Sequence, residues 1–211
     1  MSVRTVIPLS EPHDLRERVL DATGEVIRKR VCQVTLSAVA AQAKVDEALI
    51  IRLFGGLAHL LDSFAMSQRF WPSVDELADG DCEGLKRQPL GEQLSVFFRN
   101  YLRALRRRPW TLAVMAEEGR QNCLLTHALA YIRERRALEF FEEIINDEPP
   151  AQVDLPAVIL LMALAVSNVG TLSLRLNSIG GIDLESDDGW DRIARTIEFL
   201  LTTSLVVPSE R

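Results

Sequence analysis

The sequence predicts an all-α protein, and three observations carry that prediction. Apolar residues recur at three- and four-residue spacing along most of the chain, no run alternates with the period of two that a strand needs, and the good helix formers Leu, Ala, Glu and Arg dominate. About nine helices are expected, and 211 residues are enough to bury a substantial core.

Each helix has its own signal. Residues 1–10 read as a flexible arm. The first helix then carries Val19, Ala22, Val26 and Ile27 inward, with Ser10 as a cap and Pro12 tolerated in its first turn. Thr35 caps a short second helix that buries Leu36, Val39 and Ala40, and after the turn Ala43-Lys44-Val45 the carboxylate of Asp46 caps a third helix ending at Gly55-Gly56. A fourth places Leu57, Leu60, Leu61, Phe64 and Trp71 on one side, before an acidic loop from Asp79 to Glu83. Pro89 opens the clearest amphipathic helix, in which Leu90, Leu94, Phe97, Phe98, Tyr101, Leu102 and Leu105 share a face, and Pro109 stops it. A helix over Trp110 to Glu118 follows, then a long one from Leu124 to Ile145 with the run 133–136 facing solvent and 146–151 as its terminating loop. An uncharged helix from Asp154 to Leu176, a Gly180-Gly181 loop, and a last helix carrying Trp190, Ile193, Ala194, Ile197, Leu200 and Leu201 complete the chain.

Composition narrows the function. The 24 basic residues against 30 acidic ones give a net charge of -6, which removes any whole-molecule attraction to phosphate or anionic lipid, so nucleic-acid binding needs a locally basic face. Cys32, Cys82 and Cys123 are odd in number and widely separated, a pattern expected of reduced thiols in a cytoplasmic protein. The stretch from Leu155 to Leu174 is uncharged and long enough for a bilayer. Pro156, Ser167, Asn168, Gly170, Thr171 and Ser173 interrupt it and Asp154 and Arg175 flank it, so it reads as a buried helix of a soluble bundle and no membrane is expected. His13, His59 and His127 are isolated, the Asp79 to Glu83 loop lacks calcium-ligand spacing, and the glycine pairs carry no phosphate-binding pattern. No catalytic set, metal or cofactor is expected, and the chain reads as a non-enzyme.

Three short helices within the first 55 or so residues, the second and third joined by a tight turn, have a helix-turn-helix layout. The stretch from Arg18 to Leu61 resembles the amino-terminal domain of the TetR family of bacterial transcriptional regulators. The matching residues are RVLDAT at Arg18 to Thr23, Thr35 before the short helix, Val39-Ala40, the turn Ala43-Lys44-Val45, and Phe54; YLRALRRRPW at 101–110 is similar to an effector-domain pattern of that family. The resemblance implies a helix-turn-helix domain over 11–56 and a ligand-binding and dimerisation domain over 57–211. It implies a homodimeric regulator, a repressor in the usual case, whose hold on double-stranded operator DNA is modulated by a small effector.

The chain departs from the family pattern where DNA would lie. Lys44 stands where the turn usually has glycine, Ile51 where a backbone-touching tyrosine is common, and Leu57 where a lysine often meets phosphate. The remaining DNA-side candidates are Arg16, Arg18, Thr35, Lys44, Glu47, Ala48, Ile51 and Arg52. Among these, Arg52 is the residue able to read guanine bidentately, and Ala48 and Ile51 offer methyl contacts. The Arg28-Lys29-Arg30 cluster reads equally as a phosphate contact or as favourable charge at a helix carboxyl end. An alternative reading makes the apolar surface of Leu49, Ile50, Ile51 and Leu53 a protein-docking face on a head that no longer reads DNA.

For an effector, apolar or aromatic, the candidate lining is Trp71, Phe98, Tyr101, Trp110, Met115 and His127. For the dimer, a small-residue stripe of Ala163, Ser167, Gly170 and Thr171 would let a partner helix approach, with Ile193, Ile197 and Leu200 supplying apolar area, although packing within the chain explains the stripe equally.

Overall fold

Helices account for about three quarters of the computed structural model, which describes residues 12–118, 120, 123–145 and 153–205. The expected arm at 1–10 and the expected loop at 146–151 lie outside these residues.

The head is built from α1 (Pro12–Lys29), a 3-10 turn (Val31–Gln33), α2 (Leu36–Ala43), α3 (Glu47–Phe54) and α4 (Leu57–Ala65). Its core is Val19, Val26, Ile27, Val39, Ile50, Leu60 and Phe64, all buried, and the buried Thr23 hydroxyl is satisfied by donating to the Val19 carbonyl at 2.8 Å. Thr35 Oγ1 accepts the Ala38 amide at 3.2 Å and caps α2. Lys44 closes the other end in the left-handed region, φ 56°, while the Val45 amide bonds back to the Ala40 carbonyl at 3.0 Å. The backbone of Asp46 starts α3, but its side chain makes no capping hydrogen bond, so the expected carboxylate cap is absent.

Among the described residues, the expected nine or so helices become eleven. The stretch from Val74 to Lys86 forms two short helices, α5 (Val74–Leu77) and α6 (Cys82–Lys86), where an acidic loop was expected. Ser73 and Asp81 cap them, accepting the Glu76 and Gly84 amides at 3.1 and 2.7 Å; neither spans two turns, so neither leaves a readable periodicity. The fourth helix stops at Ala65, and Trp71 is buried from the turn that follows instead of from the helix itself.

The body continues with α7 (Leu90–Arg106), α8 (Pro109–Glu118), α9 (Leu124–Ile144), α10 (Leu155–Leu172) and α11 (Asp187–Ser204). Helix α7 is its axis, packing against α5, α8, α10 and α11 and buried along most of its length. Gly91 permits the approach of α11, since a methyl there would meet the Leu201 carbonyl oxygen at 2.9 Å. Pro109 opens α8, a position where its missing amide costs nothing. Between α10 and α11 the Gly180-Gly181 loop is the tip of a hairpin, β1 (Ser178–Ile179) against β2 (Ile182–Asp183), with both glycines at positive φ. Strands of two residues are too short to show alternation.

Two expectations about the body are corrected. Helix α10 is not buried: its core contributions are Val166 and Gly170, while Leu160, Leu161 and Leu164 are each more than half exposed. The small-residue stripe does not face outward. A methyl on Gly170 would meet Leu112 Cδ2 at 2.7 Å, and the Ser167 hydroxyl bonds to Tyr101 at 2.9 Å, so Gly170 and Ser167 let α10 lie close to α7 and α8 of the same chain. Ile197 is likewise buried within the subunit; of the six other named positions Leu200 alone is exposed, at 47%, with Ala163, Ser167, Thr171 and Ile193 half-buried and Gly170 buried. The outward apolar face is Leu160, Leu161 and Leu164 on α10 with Phe199 and Leu200 on α11.

Head and body meet through α1 with α8 and α4 with α9. Trp110 lies on Gly24, where a methyl would overlap its ring, and its indole N–H donates to Glu25 at 3.0 Å. A disulfide joins Cys32 in the 3-10 turn to Cys123 at the start of α9, so the expectation of three reduced thiols is corrected: folding brings two distant cysteines to a Cα separation of 5.9 Å, which sequence spacing cannot reveal. Cys82 is free.

Candidate functional site: the third-helix face and the body cavity

The outward side of α3 presents Glu47, Ala48, Ile51 and Arg52, all exposed, with Lys44 exposed at the turn before them and Thr35 exposed at the α2 cap. Arg18 and Arg52 are exposed and enter no ion pair among the described residues. Arg16 is used differently from the expectation. Its guanidinium donates to the Leu53 carbonyl and sits 4.3 Å over the Phe54 ring, so it ties the start of α1 to the end of α3 and is already occupied. Lys29 donates to Gln42 at 3.3 Å and Arg28 pairs with Glu25 at 2.9 Å, whereas Arg30 enters no ion pair among the described residues. The apolar docking surface expected on α3 is thin: Ile50 is fully buried in the head core, Leu49 and Leu53 are half-buried, and Ile51 stands out at 49% exposure. That falls well short of the few-hundred-Å² patch that marks a docking face.

In the body, α9 packs on α8 while α10 packs on α7 and α8, and the space left between α9 and α10 is a cavity of about 780 Å³. That volume suits a small ligand. Trp71, Tyr101 and Met115 line it; Phe98 lies behind them in the core, in edge contact with Phe97, which does reach the cavity. Trp110 belongs to the head–body seam and His127 is exposed, so neither faces this cavity. Sequence reasoning missed Phe97, Phe141, Ile159 and Ala163, which complete the apolar wall. Nothing in a single helix's pattern separates residues that face a void from those that fill the core.

The polar groups of the cavity are few and placed. Arg133 donates through one Nη to both carboxylate oxygens of Glu118, at 2.6 and 2.7 Å. It therefore turns inward, whereas the whole run 133–136 was expected to face solvent. Tyr101 is buried, and that burial raises its phenol above the ordinary pKa, keeping it a neutral hydroxyl that shares a hydrogen bond with the Ser167 hydroxyl. The indole nitrogen of Trp71, whose ring lies 5.3 Å from that of Tyr101, is a buried donor with no partner. An unpaired buried donor costs about 1–3 kcal/mol, which a ligand acceptor would recover.

A helix-turn-helix head on a helical body with a cavity between α9 and α10 makes up a fold of the TetR type. No protein-family model and no curated protein sequence matches the chain. Solved structures do. The fatty acid degradation regulator FadR from Bacillus halodurans superposes with TM-score 0.58 at 16% identity, covering 90% of this chain and 99% of that one. A TetR-family transcriptional regulator from Streptomyces coelicolor gives 0.57 at 18% identity, covering 96% and 81%. At these identities what is shared is the fold, over nearly the whole chain.

Proposed function

We propose that the protein is a homodimeric, TetR-like transcriptional repressor in which residues 11–56 read operator DNA and residues 57–211 bind a small apolar or aromatic effector and dimerise. The observation that carries the reading is the pairing of an outward α3 with an aromatic-lined cavity, open at one side, between α9 and α10, in a single fold shared with TetR-type regulators. In the dimer the two α3 helices enter successive major grooves about 34 Å apart. The dimer covers the face of Leu160, Leu161, Leu164, Phe199 and Leu200, an apolar area that otherwise stays in water.

Binding is weakly cationic by design. From Thr35 to Leu57 the charges are Lys44 and Arg52 against Asp46 and Glu47. Arg18, Arg30, Lys44 and Arg52 supply the free cations that can displace counterions from DNA. The effector is an aromatic or apolar molecule with one acceptor for Trp71 and a polar edge near Tyr101 and Arg133.

The test is an electrophoretic shift on the gene's own upstream DNA and on selected random sequence, across a salt series. Affinity falls with salt, and Arg52→Ala reduces the slope of log K against log salt by about 0.9 for each phosphate contact it removes. The absence of any shift at low salt overturns the DNA reading.

A further inference from the structure

The bond between Cys32 and Cys123 spans 91 positions and crosses the seam between head and body. Both residues are half-buried, and Cys32 borders two cavities. One, of about 660 Å³, is apolar. The other, of about 370 Å³, has a different character: Arg28, Lys29 and Arg30 enter it from the end of α1, with Arg120 and Arg175 opposite, and Glu117 is the single carboxylate in its described lining. Arg28 is neutralised by Glu25, and Arg120 pairs with Glu117 at 3.4 Å. Arg30 and Arg175 enter no ion pair among the described residues. In a protein of net charge -6, such a local excess of cations beside a disulfide selects a reactant by charge.

We propose that this seam is a thiol–disulfide exchange site for a low-molecular-weight thiol bearing carboxylates, which docks in the cationic cavity with its sulfur on Cys32. The thiolate attacks Cys32 Sγ, a mixed disulfide forms, and the bonding pair of the old S–S bond leaves on Cys123 Sγ. That sulfur departs at the amino end of the 21-residue α9, where it already accepts the Thr126 amide in a capping box, the Thr126 hydroxyl lies 3.7 Å away and the helix dipole favours a thiolate. A second small thiolate attacks the outer sulfur of the mixed disulfide, releasing the small-molecule disulfide and the Cys32 thiolate. Two thiols have then lost two electrons to the protein, and their two protons end on Cys32 and Cys123. The small-molecule disulfide drives the reverse. Cys82 takes no part: it has no second cysteine beside it, and its burial and the nearby Glu143 raise its thiol pKa.

The test needs no DNA and so stands or falls separately from the regulator reading. The full chain is oxidised in air, and intact mass after denaturation and alkylation shows one free thiol, on Cys82. Reduction rates, corrected for each reagent's thiolate fraction, are then measured with mercaptosuccinate (anionic), 2-mercaptoethanol (neutral) and cysteamine (cationic). Mercaptosuccinate is faster than cysteamine by at least about tenfold at low salt, and the preference collapses in molar salt. Arg30→Gln with Arg175→Gln slows mercaptosuccinate and leaves 2-mercaptoethanol unchanged. Equal rates across the three thiols, or three free thiols in the oxidised chain, overturn the proposal. If the double variant loses its helical circular dichroism, the charge series and its salt dependence on the unaltered chain decide.

Discussion

Replacing Lys44 by glycine should stabilise the protein, because Lys44 sits in a conformation that an L side chain resists. Its φ and ψ are 56° and 48°, and it closes α2 through a pair of reverse hydrogen bonds, Lys44 amide to Ala41 carbonyl at 3.3 Å and Val45 amide to Ala40 carbonyl at 3.0 Å. A left-handed residue other than glycine costs about 1–2 kcal/mol. Glycine gives part of that back, about 0.4–1 kcal/mol, because it gains more freedom in the unfolded chain. The net expectation is about 0.5–1 kcal/mol, which for a chain of this size raises the midpoint of thermal unfolding by about 1–4 °C. The Lys44 side chain is exposed and makes no ion pair among the described residues, so no contact is lost with it. Urea and thermal denaturation followed by circular dichroism read the effect, with the urea midpoint rising at unchanged m. Lys44→Ala, which keeps the left-handed penalty, serves as the control and stays within error of the parent. A midpoint for Lys44→Gly at or below that of Lys44→Ala refutes the reasoning.

Three further outcomes are expected. Glu76→Gln removes the carboxylate that holds Arg108, whose side chain is 11% exposed, at 2.5 and 2.9 Å, and Arg107 at 2.8 Å; it lowers stability by about 2 kcal/mol in urea titration, since a partly buried guanidinium loses its counter-charge. Leu161→Asp with Phe199→Asp puts charge on two side chains that are each 66% exposed in the subunit, and converts the proposed dimer to a folded monomer in sedimentation velocity; an unchanged sedimentation coefficient excludes that face as the interface. The Arg28 guanidinium and the Trp110 indole hold Glu25 below its ordinary pKa of 4.5. A depressed carboxyl contributes stability that is present above 4.5 and lost as pH falls through the folded value, so Glu25→Gln flattens the acid limb of the stability profile below pH 4.5 and leaves its shape near neutrality unchanged.

Much of the fold was legible because helix signals are local. Thr35, Lys44 and Gly55 punctuate the head where their side chains or backbones act, and the face of Leu94, Phe97, Phe98, Tyr101 and Leu105 marks α7 as an axis before any packing is known. What stayed hidden was relational. An uncharged helix reads the same whether its apolar side meets its own chain or a partner. Gly170 and Ser167 therefore fit a partner helix or the same chain equally on sequence, and the structure puts Leu112 and Tyr101 of the same subunit on that side. Arg16 looked free for phosphate because its acceptor, the Leu53 carbonyl, lies 37 positions away. Cys32 and Cys123 looked unpaired for the same reason. The cavity was half visible: aromatic content pointed to Trp71 and Tyr101, while Arg133 was hidden in a charged run in which Glu134 and Arg135 are exposed and Arg136 is half-buried.

Under the proposed function, the placement of α8 gives the body cavity a route to the head. Met115 and Glu118, toward its carboxyl end, line the cavity, and Glu118 is bonded to Arg133 of α9 across it. Trp110, at its first turn, is pressed on Gly24 of α1 and bonded to Glu25. The two ends are about 12 Å apart at the helical rise of roughly 1.5 Å per residue, and a helix that short moves as a rod. At Gly24 there is no slack, since even a methyl would overlap the indole, and a close-packed contact passes displacement on instead of absorbing it. From α1 the path continues through Arg16, which holds the Leu53 carbonyl and the Phe54 ring at the end of α3. Under the proposed function, a ligand that spreads the Glu118–Arg133 pair therefore rotates α1 and α3 together, and the seam disulfide restrains that rotation from the α9 side.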